Sequence, residues 1–159
     1  MVNVTFITVG SLKEDYLRAA VGEYTKRLSA FCRPKVKELK EVKLPDSPSG
    51  SEIASALSTE GERILASIPP RAYKIALCVE GKQFSSEALA KKIESAVNES
   101  GSLCLVIGSS HGLCEEVKAA CQMRLSVSEL TFPHQMMRVL LLEVLYRSFS
   151  ILKGTRYHK

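Results

Sequence analysis

Strand-like and helix-like runs alternate five times along this chain, and that alternation limits the fold more than any other feature. The opening "VNVTFITVG" reads as a strand with Val4, Phe6 and Thr8 on one face. Leu17, Ala20, Val21, Tyr24, Leu28 and Phe31 then recur at helical spacing. A second strand is expected from about Val36 to Leu44, stopped at Pro45 and followed by the loop-like "PDSPSGS". Ile53, Leu57, Ile64, Leu65 and Ile68 mark a helix that Pro69 and Pro70 end. "YKIALCVEG" is continuously apolar, as a strand covered on both faces should be. "QFSSEALAKKIESAV" supplies serines for an N-cap, with Leu89, Ile93 and Val97 at helical spacing. "SLCLVIG" is another strand, running through "SSHG" into the helix "LCEEVKAACQ", and "RLSVS" is a short strand. The last helix should run from about Pro133 to about Leu152, with Thr131 available as its cap. The reading is one α/β domain over residues 1–159, with a mostly parallel sheet covered by helices on both faces.

The final helix carries almost no polar face; Arg138, Glu143 and Arg147 are its chief interruptions. A helix apolar all round needs cover all round, and one side of a terminal helix packs on its sheet. A second copy of the chain is the expected cover for the other side, giving a homodimer built on this helix. Glu143 and Arg147, one turn apart, can pair. No apolar run approaches the roughly 18 residues of a membrane span, and the N-terminus lacks a basic, cleavable leader, so a cytoplasmic protein is expected. The five cysteines show neither C-x-x-C spacing nor a histidine at zinc-ligand spacing; reduced thiols and no metal follow. From Gln122 onward six basic residues face two acidic ones, Glu129 and Glu143. That basic end suits an anionic partner, or solubility alone.

Ligands of parallel α/β sheets sit at the carboxyl ends of the strands. Three loops there are distinctive: the turn at Glu80 and Gly81 after Leu77, Cys78 and Val79; "GSSHG", expected to leave Ser109, Ser110 and His111 at the mouth; and "SVSELTF". "IGSSHG" is neither a G-x-G-x-x-G fingerprint nor a Walker A loop. His134, near a helix N-terminus, should stay neutral because the positive dipole end opposes its protonation.

"LVIGSSHG" followed by "RLSVSELTFPHQMMRVLLLEVLYRSFSILKGTRYHK" resembles the C-terminal signature of the ribosomal RNA large subunit methyltransferase H family, small members of the SPOUT class. "FITVGSLKEDYLRAAVGEYTKRL" and "VEGKQFSSEALA" extend the resemblance over nearly the whole chain. One departure is Ser109, where that family usually reads glycine. The resemblance implies a C-terminal trefoil knot, a homodimer, and S-adenosylmethionine-dependent methylation of N3 of pseudouridine 1915 in 23S rRNA of the large subunit or whole ribosome. Family cofactor contacts map to Leu77, Gly108 and the run Val127, Ser128, Glu129, Leu130, Thr131 and Phe132.

A pseudouridine N3 is a poor nucleophile until its imide proton leaves, so a base or a stabilising cation is needed beside it. The tail "GTRYHK" offers both. Tyr157, His158 and Arg138 are the expected catalytic group, and Arg147, Arg156 and Lys159 the expected RNA-phosphate contacts. Dimer packing would carry one subunit's tail to its partner's cofactor. The alternatives are a SPOUT methyltransferase with another RNA target and a non-catalytic ribosome-binding protein whose cofactor loop Ser109 has spoiled.

Overall fold

A computed structural model describes residues 1–159. Five strands, β1 (Val2–Val9), β2 (Cys32–Leu39), β3 (Tyr73–Lys82), β4 (Ser102–Ile107) and β5 (Met123–Leu125), form one sheet in the order β2-β1-β4-β3-β5. Every neighbouring pair is parallel, so all five carboxyl ends share one edge. The helices are α1 (Asp15–Leu28), α2 (Gly50–Ser67), α3 (Ser86–Ser100), α4 (Glu115–Ala120) and α5 (His134–Leu152).

Alternation along β1 splits its side chains between two cores. Val4 and Phe6 join Leu28, Leu89, Ile93, Leu141, Leu145 and Phe149 under α1, α3 and α5. Ile7 and Val9 join Ile64, Val106, Leu113 and Val117 under α2 and α4. The cover on both faces is as expected from the apolar runs. Helix α2 starts at a capping box: the Ser49 hydroxyl accepts from the Glu52 N–H, and the Glu52 carboxylate accepts from the Ser49 N–H. Ser85 caps α3 by accepting from the Ala88 N–H, and Gly101 ends that helix in the left-handed region.

Two element boundaries differ from the sequence reading. Strand β2 begins at Cys32 and runs through Pro34, ending at Leu39 rather than near Leu44. Pro34 is tolerated because β2 pairs only with β1, and an edge strand can lose a ladder donor. Thr131 does not cap α5: Pro133 stands at the cap position, with no side-chain cap hydrogen bond. Instead Gln135 Oε1 accepts from the Lys13 N–H at 3.0 Å and ties the start of α5 to the loop after β1.

Helix α5 lies on the sheet between α1 and α3. Leu141, Leu142, Leu145 and Phe149 are buried against the strands. At its flank Tyr146 meets Tyr24 edge-on at 6.3 Å, and Phe31 stacks on Phe149 at 6.2 Å. The helix therefore has neighbours on three sides within its own chain. It is covered within the chain more widely than a one-sided terminal helix would be, but Met136, Met137, Val139, Leu140 and Ile151 are only half-buried and join neither core. No helix is long and apolar enough to cross a membrane.

Candidate functional site

The carboxyl ends of β4, β3 and β5 form a continuous rim with β3 at its centre: Ala76 pairs with Val106 on one side, and Leu77 with Leu125 on the other. Beyond Leu77 the register slips, so that Leu125 is matched a second time by Lys82. Glu80 and Gly81 thus belong to a bulged strand end and not to a free turn. Gly81 permits this bulge, since a Cβ there would lie 2.5 Å from the Leu125 carbonyl carbon and 2.6 Å from the Ser126 nitrogen. The Ser126 N–H donates to the Lys82 carbonyl at 3.0 Å, which joins the first loop to the third. The Lys118–Glu80 pair flanks the bulge and holds the Glu80 carboxyl below its ordinary range.

The second loop closes on itself at Gly108 and Gly112. A Cβ on Gly108 would stand 2.1 Å from the Gly112 carbonyl oxygen, and Gly112 takes a φ of +90°. The Gly112 N–H donates to the Ser109 carbonyl at 2.8 Å. Ser110 and His111 are exposed at the mouth, as expected. Ser109 is not: it is 5% exposed, and its hydroxyl donates inward to Glu60 Oε1 at 2.8 Å.

The third loop, residues 126–133, turns on its own serines. Ser126 Oγ donates to the Ser128 carbonyl at 3.2 Å, and the Leu130 N–H donates to Ser128 Oγ at 3.0 Å. Val127, Ser128 and Phe132 are half-buried, while Glu129, Leu130 and Thr131 are exposed. Two large aliphatic side chains stand in solvent beside the rim, Val79 at 93% and Leu130 at 73% exposure. Uncovered aliphatics at a strand-end crevice suit an apolar ligand surface.

The tail folds back over α5. Tyr157 packs edge-on against Tyr146 at 4.7 Å, lies beneath the Arg147 guanidinium, and donates its hydroxyl to Glu143 Oε1 at 2.9 Å. Burial, with that carboxylate alongside, pushes the Tyr157 phenol well above its ordinary value. His158 Nε2 stands 2.8 Å from Glu87 Oε1 and Nδ1 3.3 Å from Arg147 Nη1. A carboxylate only accepts and a guanidinium only donates, so these contacts suit the tautomer with its proton on Nε2 and its lone pair on Nδ1. Arg147 and Glu143 pair as anticipated, and Arg147 lines a cavity of about 140 Å³ together with Ser126, Val127, Phe84 and Ser148. Arg147 thus touches the tail on one side and lines the cavity beside the third loop on the other. Arg156 and Lys159 are exposed.

Arg138 lies elsewhere, at the ends of β1 and β2. It is 4% exposed, donates from Nη2 to the Val9 and Gly10 carbonyls at 2.7 Å, and pairs through Nη1 with Glu38 at 3.0 Å. Its donors toward the backbone are committed to the fold, and it does not join the tail cluster. His134 is held neutral as expected, although burial is the larger cause, with Arg138 second. Sequence reading missed Glu60, Glu87 and the part Glu143 plays in holding Tyr157; these contacts, to Ser109, His158 and Tyr157, span 14 to 71 residues of chain. The cysteines are all free, and burial raises Cys32 and Cys104 to about 12. No group of three or more His, Cys, Asp or Glu side chains is arranged to hold a metal ion.

The five-stranded parallel α/β sheet with its open crevice at the carboxyl rim is a fold that a tRNA (m1G37) methyltransferase from Aquifex aeolicus shares. That likeness has a TM-score of 0.52 at 12% identity and covers 99% of this chain and 73% of the other. A family model described as "Predicted SPOUT methyltransferase" matches residues 2–158. The chain is 46% identical over 158 residues to a ribosomal RNA large subunit methyltransferase H of Leuconostoc mesenteroides, with 99% of each covered. It is 44% identical over 158 residues to the protein of that name from Clostridioides difficile, again with 99% of each covered. This chain belongs to the SPOUT methyltransferases, within the ribosomal RNA large subunit methyltransferase H family.

Proposed function

We propose that this protein transfers a methyl group from S-adenosylmethionine to N3 of pseudouridine 1915 in 23S rRNA of the large subunit or whole ribosome, as a cytoplasmic homodimer. The observation that carries the reading is the convergence of Leu77, Gly108 and the loop from Val127 to Phe132 on one strand-end rim, with Arg147 lining a cavity shared with Val127. An adenosyl group needs apolar walls and backbone polar groups at its edge; exposed Val79 and Leu130, beside the turned backbone of the second and third loops, fit that need. Leu77, Gly108 and the Val127–Phe132 segment would hold the donor, which supplies an electrophilic methyl group when bound.

The chain's own residues prepare the acceptor. Tyr157 remains protonated and serves as a hydrogen-bond donor, not as a base. His158 is the base once Nδ1 leaves Arg147, because its lone pair then takes the N3 proton. Arg156 and Lys159 are free for phosphates, whereas Arg147 is shared with Glu143. Arg138 supports the site through the fold.

A cleft of about 680 Å³ between β1, β2, α1 and α5, with Leu12, Val21, Val36 and Leu142 in its walls, supports a second copy as its cover. The reading includes the family's trefoil knot, supported by the return of α5 from the β5 edge to the middle of one face between α1 and α3. Labelled methyl transfer to purified ribosomes, to free subunits and to protein-free rRNA, followed by mapping of the modified nucleotide, tests the activity and its target. Label on another RNA or at another nucleotide overturns the substrate assignment, and no label on any RNA overturns the activity. The inward Ser109 hydroxyl removes the motive for a spoiled donor loop.

A further inference from the structure

Glu60 is the one buried carboxylate in the molecule, 3% exposed, and no lysine or arginine pairs with it. Removing such a group from water costs several kcal/mol unless its oxygens are well used. Here each oxygen has one donor: Oε2 accepts from the Val42 N–H at 3.0 Å, Oε1 from Ser109 Oγ at 2.8 Å. Val42 belongs to the segment leading into α2, and Ser109 to the second rim loop. The next residue, Gly61, lets α2 press on the far end of the same loop, where a Cβ would meet Cys114 Sγ at 2.4 Å. Helix α2 thus grips residues 108–114 at both ends, by a charge-assisted hydrogen bond at Ser109 and by van der Waals contact at Cys114.

An apolar pair would bury at lower cost, so the stability of α2 alone does not account for a carboxylate at this point. What a hydrogen bond adds is direction. Ser109 directly follows Gly108, and its carbonyl accepts the Gly112 N–H that closes the loop, so fixing the Ser109 side chain fixes the backbone on both sides of it. We propose that Glu60 is a positioning residue for the methyl donor: acting through Ser109, it sets the backbone of the Gly108 loop and thereby donor affinity, without touching the donor. The proposal rests on the reading of that loop as part of the donor site.

The test uses the full-length protein with Ser109→Ala, Glu60→Gln and the double variant. Ser109→Ala should raise the Kd for S-adenosylmethionine about tenfold or more, the usual scale for a hydrogen bond to a charged group. Glu60→Gln keeps the shape but not the charge: with its oxygen on the Val42 N–H, its amide can meet the Ser109 hydroxyl as donor, so the Ser109 bond loses its charge assistance and Kd should rise, by less than in Ser109→Ala. The double variant should lose no more than the larger single loss, because the two residues act as one unit. Donor KM should rise with Kd while kcat at saturating donor changes less than about twofold, a split that a general loss of fold does not produce. Hydrogen exchange at the Gly112 N–H, measured without donor, should quicken in both single variants. A Kd within about twofold of the parent in both singles, or additive losses in the double, overturns the proposal. Unchanged exchange at Gly112 overturns the clamp itself whether or not donor binds. A parent that binds no S-adenosylmethionine overturns the donor-site reading, and the affinity clause with it.

Discussion

At the scale of single residues, the charges that look most chemical in the sequence divide by burial. Arg138 is inside and serves the fold; Arg156 and Lys159 are outside and free. Arg138→Met should leave the Val9 and Gly10 carbonyls unpaired and cost about 3 kcal/mol, toward the low end for breaking a buried ion pair because Glu38 is half-exposed. Thermal unfolding should show that loss, with activity recovering at a temperature where the variant is folded. Gly108→Ala should destabilise by about 2 kcal/mol or more and abolish donor binding, since the added carbon meets backbone and not a yielding side chain; calorimetry and a melting curve read both. His134 sets a pH dependence. Its folded value lies below the ordinary 6.5, so the unfolded chain takes up the proton first, and stability falls as pH drops below about 6.5. The lowered carboxylates, Glu23, Glu80 and Glu87, act below their ordinary 4.5 and outside this window. Melting temperature should therefore decline from about pH 7 to about pH 5, and the slope should flatten in His134→Gln.

Among the elements, those with a clear period were legible and those set by their neighbours were not. The two-faced cover of β3 follows from its continuous apolar run and the serine cap of α3 from "FSSE", whereas β1, read by alternation with Val4, Phe6 and Thr8 on one face, is buried on both. Pro34 hid the start of β2, because whether a proline is allowed depends on edge position, a property of the whole sheet. The α5 sequence says that the helix is covered on all sides but not by what, and α1 and α3 supply much of the answer. Likewise, nothing local to "IGSSHG" turns Ser109 inward; Glu60, 49 residues away, does. Leu145→Ala, in the middle of α5, should cost about 2–5 kcal/mol by denaturant unfolding, as a core leucine flanked by two helices leaves a cavity that collapses poorly.

For the whole molecule, the tail is the part whose chemistry was visible early and whose position was not. The sequence shows a phenol, an imidazole and cations; their return along α5 to Glu143, Arg147 and Glu87 depends on where α3 lies. Ending the chain at Gly154 removes these contacts but none of the buried core, so the truncated protein should remain folded and bind donor while methyl transfer to ribosomes falls at least a hundredfold, by the scale of general acid–base catalysis. Light scattering of the intact protein at working concentration should return twice the chain mass, and a fully active single chain would refute the dimer. The sheet order carries a consequence for biosynthesis. Helix α5, at the centre of one face, follows both α1 and α3 in chain order, so the trough between them is synthesised before the element that fills it. A chain that stops short of residue 134 accordingly leaves the buried residues of α1, α3 and the sheet without their cover on that face.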